Sequence, residues 1–325
     1  MLKITLLFIL GLVCLIVGGD WFVDGAADIA RKYRVPELLI GATIVSIGTT
    51  LPEVLVSAEA AVLGHSEIAY GNAIGSIICN TSLIAAITMT IRPGEINKKE
   101  LFVPVGFFFG SAALYSAVAY ISGYFSRLVG ILLLVIYVAY MAVSIKSAFA
   151  KNKNTDKSNE ESTEEFTKKF IVLAIGKLIV GAVLIALGAD LLVDNGTLIA
   201  EAIGVPESVI GLTFVALGTS LPELVTAITS LIKGHSALSL GNIIGANLFN
   251  IVFVSGLATT LSPFKVPASK LIGGLNASFV IDIPVMFIVM IIMTIPSLIT
   301  GKIKRWQGML LLAIYASFCV FQFIG

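Results

Sequence analysis

Apolar stretches of about 20 residues alternate with short polar segments along almost the whole chain. A helix of this length, at a rise of about 1.5 Å per residue, crosses the roughly 30 Å hydrocarbon core of a bilayer. The pattern therefore predicts ten membrane-spanning helices. They lie near 4–24, 38–63, 70–91, 101–121, 127–148, 170–193, 206–232, 238–261, 273–298 and 306–324.

The first stretch also has features of a cleaved signal peptide, because Lys3 precedes its apolar core. Its last part, GGDWFVDG at 18–25, is echoed by GADLLVDN at 188–195. A segment that is repeated inside the chain is better explained as a structural helix. We therefore interpret the first stretch as helix 1 of the folded protein.

Composition places the chain among membrane proteins. Of its 325 residues, 57% are hydrophobic and 13% are charged, and the mean hydropathy is +1.00. The formal net charge of +1 argues against nucleic acid as a partner, so the lipid bilayer is the expected surroundings. The three cysteines lie in separate apolar stretches without the spacing of a metal site or a disulfide framework.

The two halves of the chain repeat each other at an offset of 170 residues. Residues 48–80 align with 218–250 without a gap, and 13 of the 33 positions are identical. Five predicted spans separate each element from its copy, and an odd number reverses the direction in which the copy crosses the membrane. The sequence therefore predicts two inverted five-helix repeats, at 1–145 and 170–325, with broken helices lining a central ion site.

Positive charge predicts the orientation, since short cytoplasmic loops carry the excess of Lys and Arg. The segment 146–169 is polar and charge-rich and indicates a flexible linker between the repeats. Placing this linker in the cytoplasm puts 16 of the 21 basic residues in cytoplasmic segments. We expect a multi-pass protein of the cell membrane with both termini outside.

Each repeat contains one glutamate well inside a predicted span, Glu53 and Glu223. A carboxylate at mid-membrane depth costs at least about 2.5 to 3.5 kcal/mol, so it requires a partner or a wet cavity. A single such acid is readily explained as a protonated or hydrogen-bonded group that tightens packing. Two acids at matching positions of an inverted repeat favour a functional site instead.

Hydroxyl groups and helix breakers accompany both acids. Helical spacing places Ser46, Thr49 and Thr50 on one face with Glu53. Pro52 lacks a backbone donor and so predicts freed carbonyls at mid-membrane depth, where they need a partner. The second copy of the face is Ala216, Thr219, Ser220 and Glu223, with Pro222 beside the acid.

The next helix of each half adds a second polar stripe, for which interhelical hydrogen bonding is the alternative explanation. The two stripes are Asn72, Ser76 and Asn80, and Asn242, Ala246 and Asn250. Together the stripes offer only oxygen ligands, which suit Ca²⁺ and Na⁺ and do not suit zinc or copper. Two carboxylates also balance the charge of one Ca²⁺.

At this point the motifs resemble a known family. GTTLPE with GNAIGSIICN, and GTSLPE with GNIIGANLFN, are similar to the two alpha repeats of the sodium/calcium exchangers in the calcium/cation antiporter superfamily. The resemblance extends over nearly the whole chain. The linker at 146–169 is too short for the regulatory domain of animal exchangers, so the chain resembles a compact prokaryotic member.

The resemblance implies that helices 2, 3, 7 and 8 hold the ions while helices 1 and 6 slide across them. It implies that Glu53 and Glu223 bind Ca²⁺ with the backbone oxygens of Thr49 and Thr219. It also implies Na⁺ ligands and central polar positions. The Na⁺ ligands would be Thr50, Ser76, Thr219, Ser220 and the carbonyl of Ala216, and Asn80 and Asn250 would be the central positions.

Two positions depart from the resemblance. Asn250 stands where potassium-dependent relatives carry aspartate, which argues against potassium co-transport. Ala246 lacks a hydroxyl that many relatives have, which brings one Na⁺ site into question. The expected activity is therefore sodium/calcium antiport by alternating access, with the two ions as transported substrates and with no cofactor.

Three other interpretations use the same residues or the same membrane setting. A proton/calcium antiporter would exchange Ca²⁺ for H⁺ at the same acids, and a passive cation channel would line its pore with them. Inverted repeats with broken helices favour a transporter over a channel. The sequence contains no HExxH or GxSxG pattern, so an intramembrane enzyme is not favoured.

One acid lies outside the repeat pattern. Asp282 is predicted near mid-depth in helix 9, and its counterpart in the first repeat is Ala112. The two interpretations are an accessory ion role and a hydrogen bond at the helix break that Pro284 produces.

Overall fold

The structure, a computed structural model, describes residues 1–155, 168–203, 218–268 and 271–324, and these residues are almost entirely helical. Four long helices cover whole predicted spans: α1 (Leu2–Lys32), α7 (Lys98–Ser122), α8 (Arg127–Thr155) and α9 (Lys168–Ala202). Helix α8 continues to Thr155, so the first part of the predicted linker is helical. The linker residues 156–167 lie outside the described residues.

The other helical segments are shorter or contain π-helical turns. In the first half they are α2 (Glu37–Ile40), π1 (Gly41–Val45), α3 (Ser46–Thr49), α4 (Leu51–Val62), α5 (Ser66–Cys79), π2 (Asn80–Ala85) and α6 (Ala86–Ile91). In the second half they are α10 (Leu221–Ile232), α11 (Ser236–Phe249), π3 (Asn250–Val254), α12 (Ser255–Leu261), π4 (Ser278–Asp282), α13 (Ile283–Thr300) and α14 (Arg305–Ile324).

Among the described residues, seven helices are long and apolar enough to cross a membrane, or eight if one bent pair is a single span. The bent pair is Glu37–Thr49 with Leu51–Val62, which meet at 48°. The start of the predicted span 206–232 lies outside the described residues, and its visible part is the 12-residue helix α10. The chain is thus an all-helical membrane protein.

Element boundaries in the two halves coincide at the offset of 170 residues. Helix α4 matches α10, and α5 matches α11, at both ends. The residue before each of the first pair is a break with similar backbone angles: φ −92° and ψ 7° at Thr50, φ −89° and ψ 3° at Ser220. Pro52 and Pro222 occupy the first turn after the break, where a missing N–H leaves no extra bond unmade.

Helices α1 and α9 pack against each other through glycines spaced seven residues apart. A Cβ added at Gly11 would lie 3.0 Å from the carbonyl oxygen of Gly188, and one at Gly18 would lie 3.0 Å from that of Gly181. Numbers rise along α1 as they fall along α9, so the two helices are antiparallel. Only glycine permits backbones to approach this closely.

Short antiparallel strand pairs close several helix ends. Strands β1 (Gly94–Glu95) and β6 (Lys302–Ile303) pair with each other, as do β2 (Tyr124–Phe125) and β3 (Phe264–Lys265). A third pair joins β4 (Leu271–Ile272) to β5 (Leu275–Asn276). These two-residue pairs leave the all-helical class unchanged, because they only connect helix ends.

Ion pairs attach the long helices to their surroundings. Lys177 in α9 lies 3.6 Å from the Asp28 carboxylate of α1, where the sequence alone suggested only a basic side chain near a membrane surface. Lys233, which follows α10, contacts the carboxylates of Asp20 at 2.8 Å and Asp24 at 2.6 Å. Helix α1 is therefore tied both to α9 and to the end of α10.

Candidate ion-binding site

The two helix breaks meet in the interior. At the first break, the hydroxyl of Thr50 donates a 2.8 Å hydrogen bond to Oε1 of Glu223, which lies just after the second break. Both residues are fully buried, with 0% of their surface exposed. One half of the chain therefore supplies a hydroxyl to the carboxylate of the other half.

The glutamates form the charged centre of the site. Glu53 is also 0% exposed, and it lies close enough to Glu223 for the two carboxylates to interact electrostatically. Among the described residues, no group donates a hydrogen bond to either oxygen of Glu53 or to Oε2 of Glu223. Buried acidic oxygens without a donor are costly, and a cation bound between them would satisfy them.

Two asparagines hold the backbone and hydroxyls around the acids. Asn72 in α5 donates to the backbone carbonyl of Glu53 at 3.2 Å and to the hydroxyl of Ser57 at 2.9 Å. Asn242 in α11 accepts a 3.2 Å hydrogen bond from the hydroxyl of Thr49. The polar stripe of each half therefore contacts the broken helix of the first half.

Further amides lie at the starts of the π-helical turns. Asn80 and Asn250 are fully buried, and neither their amide nitrogens nor their amide oxygens have a hydrogen-bond partner within the described part of the chain. Asn247 donates to the hydroxyl of Thr81 at 2.7 Å. The sequence missed Asn247 because it lies one position from the repeating stripe.

The structure brings most of the predicted site residues into the interior. Ser76 is buried, with its hydroxyl 3.5 Å from the Asn72 side-chain oxygen, whereas Thr219 is only half-buried. Ala216 lies outside the described residues. The predicted residues that the structure buries are Thr49, Thr50, Glu53, Ser76, Asn80, Ser220, Glu223 and Asn250.

The hydrogen bonding around the two acids is asymmetric. The counterpart of the Thr50 to Glu223 bond would join Ser220 to Glu53, but among the described residues the Ser220 hydroxyl has no partner. The methyl group that distinguishes threonine from serine restricts χ1 and helps to fix the donating rotamer of Thr50. Glu53 is thus the carboxylate with more free oxygen atoms.

Helices α1 and α9 pack directly on the two breaks. A Cβ at Gly48 would lie 2.9 Å from the Phe22 ring, and one at Gly218 would lie 2.9 Å from Cγ2 of Val193. A small cavity lies between these helices and the breaks, lined by residues that include Phe22, Thr49 and Pro222. The antiparallel helix pair therefore covers the site on one side.

The donor set agrees with a hard cation and disagrees with a soft one. It consists of two carboxylates, several hydroxyls and amide oxygens, which are the ligands of Ca²⁺ and Na⁺. Within the described residues, no group of three or more His, Cys, Asp or Glu side chains is placed to hold a metal ion. The site therefore relies on two acids plus neutral oxygens, as a site that must also release its ion requires.

A cation site of this kind, built from broken helices inside an all-helical membrane protein, defines an ion transporter. The sodium/calcium exchanger protein family matches residues 3–146 and 173–324 of the chain. The chain belongs to this family. It is a transporter and not an enzyme.

Individual relatives cover nearly the full length. The uncharacterized membrane protein MJ0091 of Methanocaldococcus jannaschii is 35% identical, over 95% of this chain and 94% of that protein. The sodium/calcium exchanger MaX1 of Methanosarcina acetivorans is 31% identical, with 98% of both chains covered. A solved structure of the sodium-calcium exchanger NCX_Mj, soaked with Na⁺ and Sr²⁺, superposes with a TM-score of 0.80 and 31% identity, covering 97% of both chains.

Proposed function

We propose that this protein exchanges Na⁺ for Ca²⁺ across the membrane by alternating access. The observation that carries the proposal is the pair of fully buried glutamates at mirrored helix breaks, with three of their four oxygens lacking a donor among the described residues. A divalent cation is the species that this pair neutralises. The relatives named sodium/calcium exchangers support the choice of ions.

The ligand assignment follows the predicted residues. Glu53 and Glu223 bind Ca²⁺ together with the backbone oxygens of Thr49 and Thr219. Asn80 and Asn250 are the central polar positions, and their unpartnered buried amides support a role toward an ion or its hydration water. The Na⁺ ligands are Thr50, Ser76, Thr219, Ser220 and the carbonyl of Ala216.

Competition for the same two carboxylates couples the two fluxes. With either ion bound, the charge of Glu53 and Glu223 is balanced, and the site is able to close within the low-dielectric interior. Without an ion, two like charges remain buried together, and this is costly. The empty, ionised site therefore does not close readily, and each ion must be exchanged for the other.

The proposed architecture is ten membrane-spanning helices in two inverted five-helix repeats, at 1–145 and 170–325. Its support comes from the contacts of α1 with α9. Adding 170 to Gly11 and subtracting 170 from Gly188 converts the contact of these two residues into the contact of Gly181 with Gly18, which the structure also has. A pair of antiparallel helices related by a two-fold axis has this property.

The proposed location is the cell membrane, with both termini outside and the linker 146–169 in the cytoplasm. The distribution of basic residues supports this orientation. We also assign a potassium-independent cycle. Asn250 is neutral and fully buried at the position where the resemblance gives potassium-dependent relatives a carboxylate, so the centre offers no third negative charge.

Radioactive calcium flux tests the proposal. Purified protein is reconstituted into liposomes, and ⁴⁵Ca²⁺ uptake is measured with Na⁺, K⁺ and H⁺ gradients imposed one at a time. We expect uptake when the internal solution contains Na⁺ and the external solution does not, unchanged by K⁺ and at constant pH on both sides.

Each rival gives a different result. Uptake driven by a proton gradient in the absence of Na⁺ would identify a proton/calcium antiporter. Uptake that needs no counter-ion inside the liposomes would identify a passive channel. Stimulation of Na⁺-driven uptake by K⁺ would contradict the potassium-independent cycle alone.

A further inference from the structure

A groove on the outer surface of the helix bundle lies between α7 and α8. It has a volume of about 450 Å³ and is lined mainly by apolar residues. The lining includes Phe102, Gly106, Phe107 and Gly110 from α7, with Ile136 and Val143 from α8. Because both helices are candidate membrane spans, the groove faces the hydrocarbon region.

Glycine creates the groove. A Cβ added at Gly106 or at Gly110 would meet no atom within 4 Å among the described residues, and both positions are exposed. The space is therefore not a close-packing site like the α1 to α9 contact, where every glycine touches the partner backbone. It is room for something that is not part of the described chain.

One end of the groove is positively charged. A short turn at 123–126 joins α7 to α8, so the start of α7 and the later part of α8 lie together at the opposite end. Lys99 precedes Phe102 by three residues, and Lys146 follows Val143 by three, so each lies on the groove side of its helix. Both lysines are exposed. The neighbouring acid, Glu100, accepts a hydrogen bond from Asn97.

We propose that this groove binds an anionic phospholipid. Its acyl chain lies along the apolar lining, and its phosphate group contacts Lys99 and Lys146. Basic side chains at the end of a space between membrane helices are a recurring arrangement for acidic headgroups. In the proposed orientation this is the cytoplasmic end, where such lipids add negative surface charge.

The groove is connected to the ion site by two side chains. Phe107, in the groove wall, packs edge to face against Tyr140, with ring centroids 5.4 Å apart. The Tyr140 hydroxyl donates a 2.8 Å hydrogen bond to the carbonyl oxygen of Ala42. Ala42 lies in the π-helical turn π1, which leads directly into α3 and Thr50. An occupied groove therefore supports the position of the broken helix that carries the site.

Lipid binding is tested first, because it does not depend on the transport activity. Native mass spectrometry of the detergent-purified full-length protein compares phosphatidylglycerol with phosphatidylcholine of the same chain length. We expect preferential retention of phosphatidylglycerol. The double variant Lys99→Gln/Lys146→Gln should lose about 30-fold in apparent affinity, from about 1 kcal/mol per lysine.

Two matched variants separate the groove from general charge. Lys302→Gln/Lys304→Gln removes two exposed lysines elsewhere on the protein and should leave retention unchanged. Gly106→Leu fills the groove without striking any described atom and should lower retention of both lipids. Equal retention of the two lipids, or no effect of the Lys99 and Lys146 changes, would overturn the proposal.

The connection to the ion site is tested with Tyr140→Phe, which keeps the ring contact and removes the hydrogen bond to Ala42. This arm rests on the proposed function and uses ⁴⁵Ca²⁺ uptake in liposomes with and without phosphatidylglycerol. The variant should still retain the lipid, but its uptake should no longer respond to it. Uptake that still responds would exclude the connection through Tyr140, whereas absence of Na⁺-driven uptake in the unaltered protein would count against the antiport and leave lipid binding intact.

Discussion

The hydroxyl of Thr50 and the carboxylate of Glu223 are joined by a 2.8 Å hydrogen bond, although 173 residues separate them in the chain. No equivalent bond joins Ser220 to Glu53 among the described residues. The two acids of the site are therefore chemically different. Glu223 is held in place by a donor, whereas Glu53 presents both oxygens to the interior.

Neutralising either acid should abolish transport. In Glu53→Gln and in Glu223→Gln, one charged ligand is replaced by an amide of the same shape, and the loss of about 3–5 kcal/mol expected for a buried charge partner corresponds to a fall of about 100-fold or more. Na⁺-driven ⁴⁵Ca²⁺ uptake measures this. Glu59→Gln, at an exposed position on the same helix, is the control and should keep normal uptake. Normal uptake by Glu53→Gln would refute competition at shared carboxylates.

Removing the donor to Glu223 should destabilise the protein more than removing its mirror hydroxyl. Thr50→Val keeps the shape of the side chain and loses a hydrogen bond to a charged group, which contributes about 1.5–3 kcal/mol. Ser220→Ala removes a hydroxyl that makes no hydrogen bond to a described residue. Thermal unfolding in detergent without Ca²⁺ should show the larger decrease for Thr50→Val. Equal decreases would mean that the asymmetry of the two acids has no energetic consequence.

Two identical changes at different glycines should have opposite effects. Gly18→Ala would place a Cβ 2.8 Å from the Leu184 Cβ, so α1 and α9 must separate, at a cost of about 1–3 kcal/mol. Gly176→Ala meets no described atom within 4 Å and should gain about 0.5–1 kcal/mol from helix propensity. Thermal unfolding distinguishes the two. If Gly18→Ala were as stable as the unaltered protein, the close packing of α1 on α9 would be wrong.

The link between α1 and Lys233 should persist across the neutral pH range. Partial burial disfavours the charged amine, but the hydrogen bonds and charges of Asp20 and Asp24 outweigh this and raise the pKa of Lys233. A raised pKa means that the contribution is complete below the unfolded value, about 10.4, and is lost only as pH rises through the higher folded value. Lys233→Met should therefore increase hydrogen exchange in the Asp20 to Lys32 part of α1 equally at pH 6 and pH 9.

The control for this change is Lys302→Met. Lys302 lies 3.2 Å from Glu95, but both side chains are mostly exposed, so the pair contributes little. Hydrogen exchange in α1 should not change in this variant. An effect of Lys233→Met that is larger at pH 6 than at pH 9 would show that a group other than Lys233 controls the contact.

Much of the site could be predicted because the repeat made each residue appear twice. Pro52 and Pro222 predicted broken helices, and the structure has a 48° bend at the first break. The oxygen-rich donor set and the family followed from the same motifs, and the family was confirmed. The assignment of individual ligands remains a prediction, as does the count of ten helices in inverted repeats.

Contacts between distant residues could not be predicted from these patterns. Helical periodicity states which side chains share a face, but not which face of another helix they meet. The bond of Thr49 to Asn242 and the contacts of Lys233 with Asp20 and Asp24 each join segments about 200 residues apart. They depend on how helices pack around one another, which no local spacing encodes.

By itself, the sequence determined the membrane setting, the helical segments, the two glutamates and the hydroxyls that follow each break, because hydrophobic length and helical period are local properties. Only the tertiary structure decided that Thr50 donates to Glu223 while Ser220 has no described partner, and that Gly106 opens a groove while Gly18 closes a contact. Identical motifs became unequal because each lies against a different neighbour, and burial and hydrogen bonding are set by those neighbours.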